Sequence, residues 1–308
     1  SAVIDLDVDG SLPTPLLDAF AGTDGRLTDL LGAAVRANLS ARSFSSQGGT
    51  LTAKAEAPRA DAFMRGRVED GHFIASEPVT ARLNEISQEL SAGVLEPIMP
   101  FFARFEKRRE DGPAMVTVTD LRAPLEKSID TNRDGTPDKI SLRGLNADLR
   151  IDLGSVRYDT NDLFGAILKF TKNDARGRLF HNFPPIIARI RDGVATYDRT
   201  RFPIGEFAIE TSGSIDLAAQ TMDLIVHVPL AALVTEVAGV FQKVPGLDVM
   251  TMTPFRLKGP IGKAKPEPAV DILLKEITTE APQRFIEQGI GGVLDKLLGG
   301  DKSKEKPK

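Results

Sequence analysis

From Phe207 to Leu217 the chain alternates between two kinds of side chain without a break. One side carries Phe207, Ile209, Thr211, Gly213, Ile215 and Leu217, and the other carries Ala208, Glu210, Ser212, Ser214 and Asp216. Because successive side chains of a β-strand point to opposite faces, this period of two predicts a strand with one buried and one wet face. After a turn at 218–221, the apolar series resumes at Met222, Leu224, Val226 and Val228. We therefore expect a long antiparallel hairpin, preceded by a strand that starts at the turn Asp192-Gly193.

The residue order in this region also resembles a known family. The segments RIRDGVATYD (189–198), IETSGSIDLAAQTMDLIVHVPL (209–230) and PFRLKGPIGKAKPEPAV (254–270) are similar to the C-terminal region of the AsmA-like family. That family includes TamB- and YhdP-type bacterial envelope proteins and is related in design to bridge-type lipid-transfer proteins. The similarity is clearest over 148–298. It implies a groove of antiparallel strands with an apolar inner face.

The resemblance also implies a function and a location. We expect a non-enzymatic module that binds lipid acyl chains, for lipid transport or outer-membrane homeostasis, in the periplasm or cell envelope of a bacterium. Its expected lipid-facing residues are Phe207, Ile209, Ile215, Leu217, Leu224 and Val226. Such proteins normally begin with a membrane anchor. We therefore expect the chain to be part of something longer that contacts the membrane through a missing region.

The expected fold is mainly β with helices (α+β), a long curved antiparallel sheet or groove built from hairpin repeats and capped by helices near the C-terminus. Three short echoes, RVEDG (67–71), REDG (109–112) and RIRDG (189–193), each precede a strand-like segment and agree with repeated hairpins. We expect an N-terminal β module with short helices at 1–95 and the AsmA-like module at 96–298. A disordered charged tail follows at 299–308.

Further strands are predicted by alternation at Val3–Asp9, Val35–Ala41, Leu51–Ala57, Ala62–Val68, His72–Ala75, Met115–Asp120, Ile140–Leu153 and Phe255–Lys258. The three aspartates of Val3–Asp9 indicate a solvated edge rather than a metal site. On the Leu51–Ala57 strand the inward side is an alanine stripe, which leaves room for a helix or for a ligand chain.

Helices are predicted at Pro13–Phe20, Arg26–Gly32, 163–168, Leu230–Phe241, Ile272–Glu280 and Pro282–Leu298. Between Val79 and Phe105 the apolar spacing also becomes helical, with Leu83, Ile86, Leu90 and Val94 three to four residues apart. Pro97 and Pro100 interrupt it and mark a hinge between modules. The charged run at 106–111 (EKRRED) indicates a solvated loop or helix end.

The amino-acid composition and the absence of known motifs exclude several kinds of functional site. The chain has no cysteine, which excludes disulfides, thiolate catalysis and cysteine-bound zinc. Its net charge of −4 does not favour nucleic-acid binding, and no run of about 18 apolar residues could span a bilayer. The three histidines, His72, His181 and His227, lie far apart in sequence and outside any HExxH context, and no GxSxG elbow is present. We expect no enzyme activity.

One loop has the spacing of a metal site. Residues 130–138 match D-x-N-x-D-G-x-x-D, the pattern of oxygen-rich calcium loops, with Gly135 at the sharp turn. Candidate Ca²⁺ ligands are Asp130, Asn132, Asp134, Thr136 and Asp138. Position twelve is Ser141 instead of a bidentate glutamate, and the same residue types also form ordinary polar turns. The alternative function is therefore a calcium-stabilised structural or adhesive β module without lipid cargo.

Overall fold

A long antiparallel sheet dominates the computed structural model, which describes residues 3–21, 25–45, 48–92, 105–125, 127–129, 139–158, 179–204, 207–241 and 251–280, and the single positions 96, 171 and 247. Within these residues one sheet contains fourteen strands, and every pairing between neighbours is antiparallel. The expected mainly β, antiparallel fold is confirmed at this level.

The first strands of the sheet are β1 (Ile4–Pro13), β2 (Ala34–Ser45), β3 (Gly48–Glu56), β4 (Ala60–Glu69), β5 (His72–Ala75) and β6 (Val79–Leu83). The remaining ones are β8 (Ala114–Pro124), β11 (Asn146–Asp152), β14 (Ile186–Arg191), β15 (Val194–Ile204), β16 (Phe207–Asp216), β17 (Thr221–Pro229), β18 (Met252–Pro260) and β19 (Pro266–Pro268). They follow chain order from β1 to β19, with β5 and β6 sharing the position between β4 and β8. The hairpin predicted from the alternation at 207–228 is β16 and β17.

Two smaller sheets accompany the long one. β12 (Gly154–Tyr158) lies between β7 (Phe105–Glu106) and β13 (Leu179–Phe183), and β9 (Lys127–Ile129) pairs with β10 (Lys139–Ile140). The described helices are α1 (Thr14–Ala21), α2 (Arg26–Leu31), α3 (Gln88–Leu90), α4 (Thr235–Phe241) and α5 (Val270–Glu280). A 3₁₀ turn at Leu230–Ala232 precedes α4. The helices predicted at 163–168 and Pro282–Leu298, the tail at 299–308 and the loop at 130–138 lie outside the described residues.

The segment after Val79 corrects the helix predicted there. Val79–Leu83 is the strand β6, which pairs with β4 on one side and β8 on the other. The described helical residues begin only at Gln88, as the α-helix Gln88–Leu90 and a π-helical turn at 91–92. Val79, Ala81 and Leu83 also alternate with Thr80 and Arg82, so the local pattern was ambiguous. Pairing with β8, more than thirty residues further along, decides it in favour of the strand.

Two of the three sequence echoes form the same turn. Asp70-Gly71 joins β4 to β5 and Asp192-Gly193 joins β14 to β15, each as a two-residue loop. Both residues of each loop have positive φ, between 49° and 75°, as a type I′ hairpin turn requires. The middle echo is different, because Gly112 follows a 3₁₀ turn at Arg109–Asp111.

Hydrogen bonds cross the predicted module boundary at 95/96. β5 and β6, before the boundary, both pair with β8, after it. The long sheet is therefore continuous through this point. The division into modules at 1–95 and 96–298, and the construction from hairpin repeats, stay predictions.

Candidate functional site

One row of directly opposed residues crosses the long sheet from β1 to β18. It contains Val8, Leu39, Ala53, Met64, Val79, Val118, Leu149, Ala188, Tyr197, Gly213, Leu224 and Leu257. Met64 and Val79 lie one position beyond the paired residues Phe63 and Thr80. Because opposed residues of an antiparallel pair point to the same side, these twelve positions define one apolar face of the sheet.

The C-terminal part of this face is buried. We call it the closed half: Leu149, Ile151, Ala188, Ile190, Tyr197, Phe202, Ile209, Ile215, Leu224, Val226, Val228, Phe255 and Leu257. The structure brings together the residues predicted to face lipid, since Ile209, Ile215, Leu217, Leu224 and Val226 are buried in one hydrophobic cluster and Phe207 packs half-buried against it. Contact of these residues with acyl chains stays a prediction.

Among the described elements, both a helix and a small sheet pack on the closed half. The ring of Phe241 on α4 meets the ring of Phe255, the strand partner of Val226, edge to face with 5.6 Å between centroids. The three-stranded sheet of β7, β12 and β13, which we call the small sheet, packs at another point. There the ring centroids of Phe183 on β13 and Phe202 on β15 are 5.9 Å apart. α5 also packs against this buried region, since Leu273 and Leu274 belong to the same hydrophobic cluster and Glu276 pairs with His227 of β17 at 3.0 Å.

The N-terminal part of the same face is accessible to solvent. We call it the open half: Leu6, Val8, Leu12, Leu39, Leu51, Ala53, Ala55, Ala62, Met64, Val79, Ala81, Val116 and Val118. Leu6 and Val8 are 44% and 41% exposed, and Leu39 through Val118 are half-buried. The open half is therefore a partly exposed apolar surface, and extended apolar surfaces of this kind often mark binding sites.

The other face of β1, β2 and β3 is polar and carries ion pairs. Arg42 of β2 contacts Asp7 of β1 at 2.6 Å, Arg36 contacts Asp9 at 3.4 Å, and Lys54 pairs with Glu56 on β3. Exposed ion pairs of this type contribute little stability but remain well hydrated. Water therefore suits this face and not the open half, which needs an apolar covering.

α1 and α2 close one end of the open half and leave its centre accessible. Asp18 of α1 accepts hydrogen bonds from the N–H groups of Leu27 (2.8 Å) and Thr28 (2.9 Å), which joins the two helices. The N–H of Thr14 donates to Ala33 O at 3.0 Å, so the pair sits at the ends of β1 and β2. The alanine stripe predicted on β3 lies at the accessible centre, with Ala53 between Leu39 and Met64.

A turn at the edge of the closed half is anchored by a carboxylate. Asp216, at the end of β16, accepts hydrogen bonds from the N–H groups of Ala218 (3.0 Å) and Ala219 (2.8 Å) and from the guanidinium of Arg143. The N–H of Ala219, followed by Arg143, lowers the pKa of this carboxyl below its usual value. The sequence pattern indicated only that Asp216 faces outward, and it missed this role.

The sequence also missed a buried cation. Lys107, in the charged run expected to be solvated, is only 2% exposed. Its Nζ donates to the carbonyls of Leu153 and Ser155, both at 2.7 Å, and of Asp111 at 3.2 Å. Burial lowers its pKa. All three acceptors are protein backbone, so Lys107 joins β7 to the start of β12 and is not aimed at a substrate.

The described residues form neither a recognisable metal-ion site nor a membrane-spanning helix. Among the described residues no group of three or more His, Asp or Glu side chains is arranged to hold a metal ion. The calcium candidates Asp130, Asn132, Asp134, Thr136 and Asp138 lie outside those residues. No helix in the described part of the chain is both long and apolar enough to cross a membrane.

Comparison of the chain with protein-family models, curated proteins and solved structures finds no match.

Proposed function

We propose that this chain is a non-enzymatic lipid-binding module whose open half binds acyl chains. Its role is in lipid transport or outer-membrane homeostasis in a bacterial envelope. The observation that carries the proposal is the contrast within one row of the sheet. Leu224, next to the last residue of the row, is fully buried, whereas Val8 at the other end is 41% exposed.

Hydrocarbon chains match the chemistry of the open half. Removing apolar surface from water is favourable by about 25 cal/mol per Å², so covering a face of six strands yields a substantial gain. The side chains there are aliphatic, and the alanines of β2, β3, β4 and β6 are short, so they project little from the sheet. An acyl chain has no polar groups that need hydrogen-bond partners, and the aliphatic side chains of the open half provide no such partners.

The envelope location comes from the sequence resemblance to the AsmA-like family. The direct test begins with mass spectrometry of organic extracts from the purified protein, where we expect co-purified lipids with long acyl chains. A fatty acid carrying a diazirine should then label peptides from β1 to β4 through apolar-face positions such as Leu39 and Met64. Equal labelling of polar-face positions such as Asn38 and Arg65 would contradict the proposal.

One observation favours the alternative, a calcium-stabilised structural module without lipid cargo. Lys139 of β10 pairs directly with Ile129 of β9, so the two ends of the 130–138 segment are held side by side. Calcium loops need their ends fixed in this way to bring ligands together. Extracts free of lipid, combined with melting that responds to calcium, would favour this function over the first.

A further inference from the structure

We infer that β1 is a docking edge for a strand of a partner polypeptide in which basic residues alternate with apolar ones. The two edges of the long sheet differ in length and chemistry. β19, at one edge, is three residues long, and its Pro266 and Pro268 have no N–H to donate. β1, at the other edge, extends over ten residues and has proline only at its last position.

About half of the backbone hydrogen-bonding groups of β1 have no strand partner among the described residues. Within the described ranges β1 pairs with β2 alone, so every second N–H and C=O points away from the sheet. Long edge strands are normally protected by charged side chains, proline or a covering element, and the charges of β1 before Pro13 are all negative, at Asp5, Asp7 and Asp9. An added strand would satisfy these groups, which is how proteins recognise extended peptides by sheet extension.

The apolar side of β1 needs a second neighbour. Ile4, Leu6, Val8 and Leu12 are all exposed large hydrophobic residues. Among the described residues, β2 is the one strand that lies beside them. A neighbouring strand with apolar residues in the matching register would cover the other flank of each side chain, because cross-strand pairs pack with Cβ atoms about 5 Å apart.

The polar side of β1 specifies the charge of the partner. It carries Asp5, Asp7 and Asp9, whereas β2 supplies two bases, Arg36 and Arg42. The side-chain hydrogen bond from Arg42 lowers the pKa of Asp7. Three carboxylates against two guanidiniums leave a net negative stripe that is open toward the edge. Basic residues at alternate positions of an added strand would face it directly.

The same stripe argues against a second copy of this chain as the occupant. Antiparallel pairing of β1 with itself, with the apolar faces aligned, sets aspartate opposite aspartate in the registers that pair most of the strand. With the twofold axis at Asp7, for example, Asp7 faces its own copy and Asp5 faces Asp9. Like charges directly opposite each other destabilise a strand pair.

The test uses a fluorescein-labelled, end-capped decapeptide of alternating arginine and valine, with a matched peptide in which glutamate replaces arginine. By fluorescence anisotropy we expect the arginine peptide to bind the intact chain at least tenfold more tightly than the glutamate peptide. Replacement of all three aspartates, Asp5, Asp7 and Asp9, by asparagine should weaken binding at least tenfold. Hydrogen exchange should show new amide protection between Ile4 and Leu12.

A control variant removes three carboxylates far from β1, as Asp61→Asn, Asp120→Asn and Asp223→Asn, and should change the affinity less than twofold. Equal losses in the two triple variants would show attraction to net charge and overturn the inference. Protection outside β1, or a dimer that depends on the β1 aspartates, would overturn it as well. Lipid content of the same variants should stay at the wild-type level, so the docking edge and the lipid proposal can fail separately.

Discussion

Val8 and Leu224 occupy one cross-strand row on one face of the long sheet, and Val8 is 41% exposed whereas Leu224 is fully buried. The apolar–polar alternation is the same in β1 and β17, so it does not predict which of the two residues is buried. The difference arises from what lies above each, since α4 and the small sheet cover the closed half and α1 and α2 reach only one end of the open half. The open half is therefore the part of the apolar face that is available for a ligand in this conformation.

The first prediction concerns the centre of the open half. Ala53→Asp places a carboxylate on the proposed acyl surface, and because Ala53 is half-buried this group can still reach water. We expect lipid content, measured by mass spectrometry of extracts, to fall at least fivefold with the melting temperature little changed. Thr52→Asp, the adjacent residue on the polar face, is the matched control. If both variants retain lipid, acyl chains do not lie on β3.

The second prediction concerns the closed half. Ile215→Ala removes a fully buried side chain opposite Met222 and should lower the free energy of unfolding by about 2–4 kcal/mol, measured in urea. We expect its lipid content to match that of wild type, because Ile215 is fully buried within the closed half and is not part of the open half. Loss of lipid in a still-folded Ile215→Ala protein would instead support the sequence-predicted contacts at Ile209, Ile215 and Leu224.

The third prediction concerns the turn anchor Asp216. Because its pKa is lowered in the folded chain, its contribution to stability is present above the unfolded value of about 3.9 and is lost as the pH falls through the folded pKa. Asp216→Ala should destabilise the protein by about 1 kcal/mol at pH 7, and the difference from wild type should shrink below pH 4. Glu210→Ala, on the same strand and face, should have no measurable effect at either pH.

How much of this arrangement the sequence could predict depends on how local its causes are. The hairpin of β16 and β17 was predictable because its alternation is long and its turn is next to it in the chain. β6 was not, because Leu83, Ile86 and Leu90 also have helical spacing, and its strand partner β8 is distant in sequence. A single-sequence pattern carries no signal for such a partner.

The candidate site shows the same limit. Alternation placed Leu6, Val8 and the alanines of β3 on an apolar face, but it could not show that this part is left open. The charged neighbours of Lys107 predict a solvated side chain, whereas its acceptors Leu153 and Ser155 lie more than forty residues away in the chain. Burial of a single residue within a charged run is set by tertiary contacts alone.

The fourth prediction concerns Lys107. Lys107→Met keeps the length of the side chain but removes the donor to the Leu153 and Ser155 carbonyls. Leaving buried acceptors without a partner should lower the free energy of unfolding by about 2–3 kcal/mol in urea. Lys54→Met, an exposed lysine of β3, is the control and should change it by less than about 0.5 kcal/mol. Similar values for the two variants would mean that the Lys107 hydrogen bonds add no net stability.

The fifth prediction concerns the calcium site on which the alternative function depends. The spacing at 130–138 predicts a Ca²⁺ site, and the pairing of Ile129 with Lys139 holds its ends together. A loop with Ser141 at the twelfth position lacks a bidentate ligand, so we expect affinity in the micromolar to millimolar range.

The measurement is thermal melting of wild type and Asp134→Ala, each in millimolar calcium and in a chelator. Calcium that binds only the folded state raises the melting temperature by mass action, so wild type should melt higher with calcium than with the chelator. Asp134→Ala should melt at one temperature in both conditions, because it lacks a central carboxylate. Magnesium is the control ion, since its demand for octahedral geometry fits this spacing poorly. A single melting temperature across all four conditions would dispose of the site and with it the alternative function.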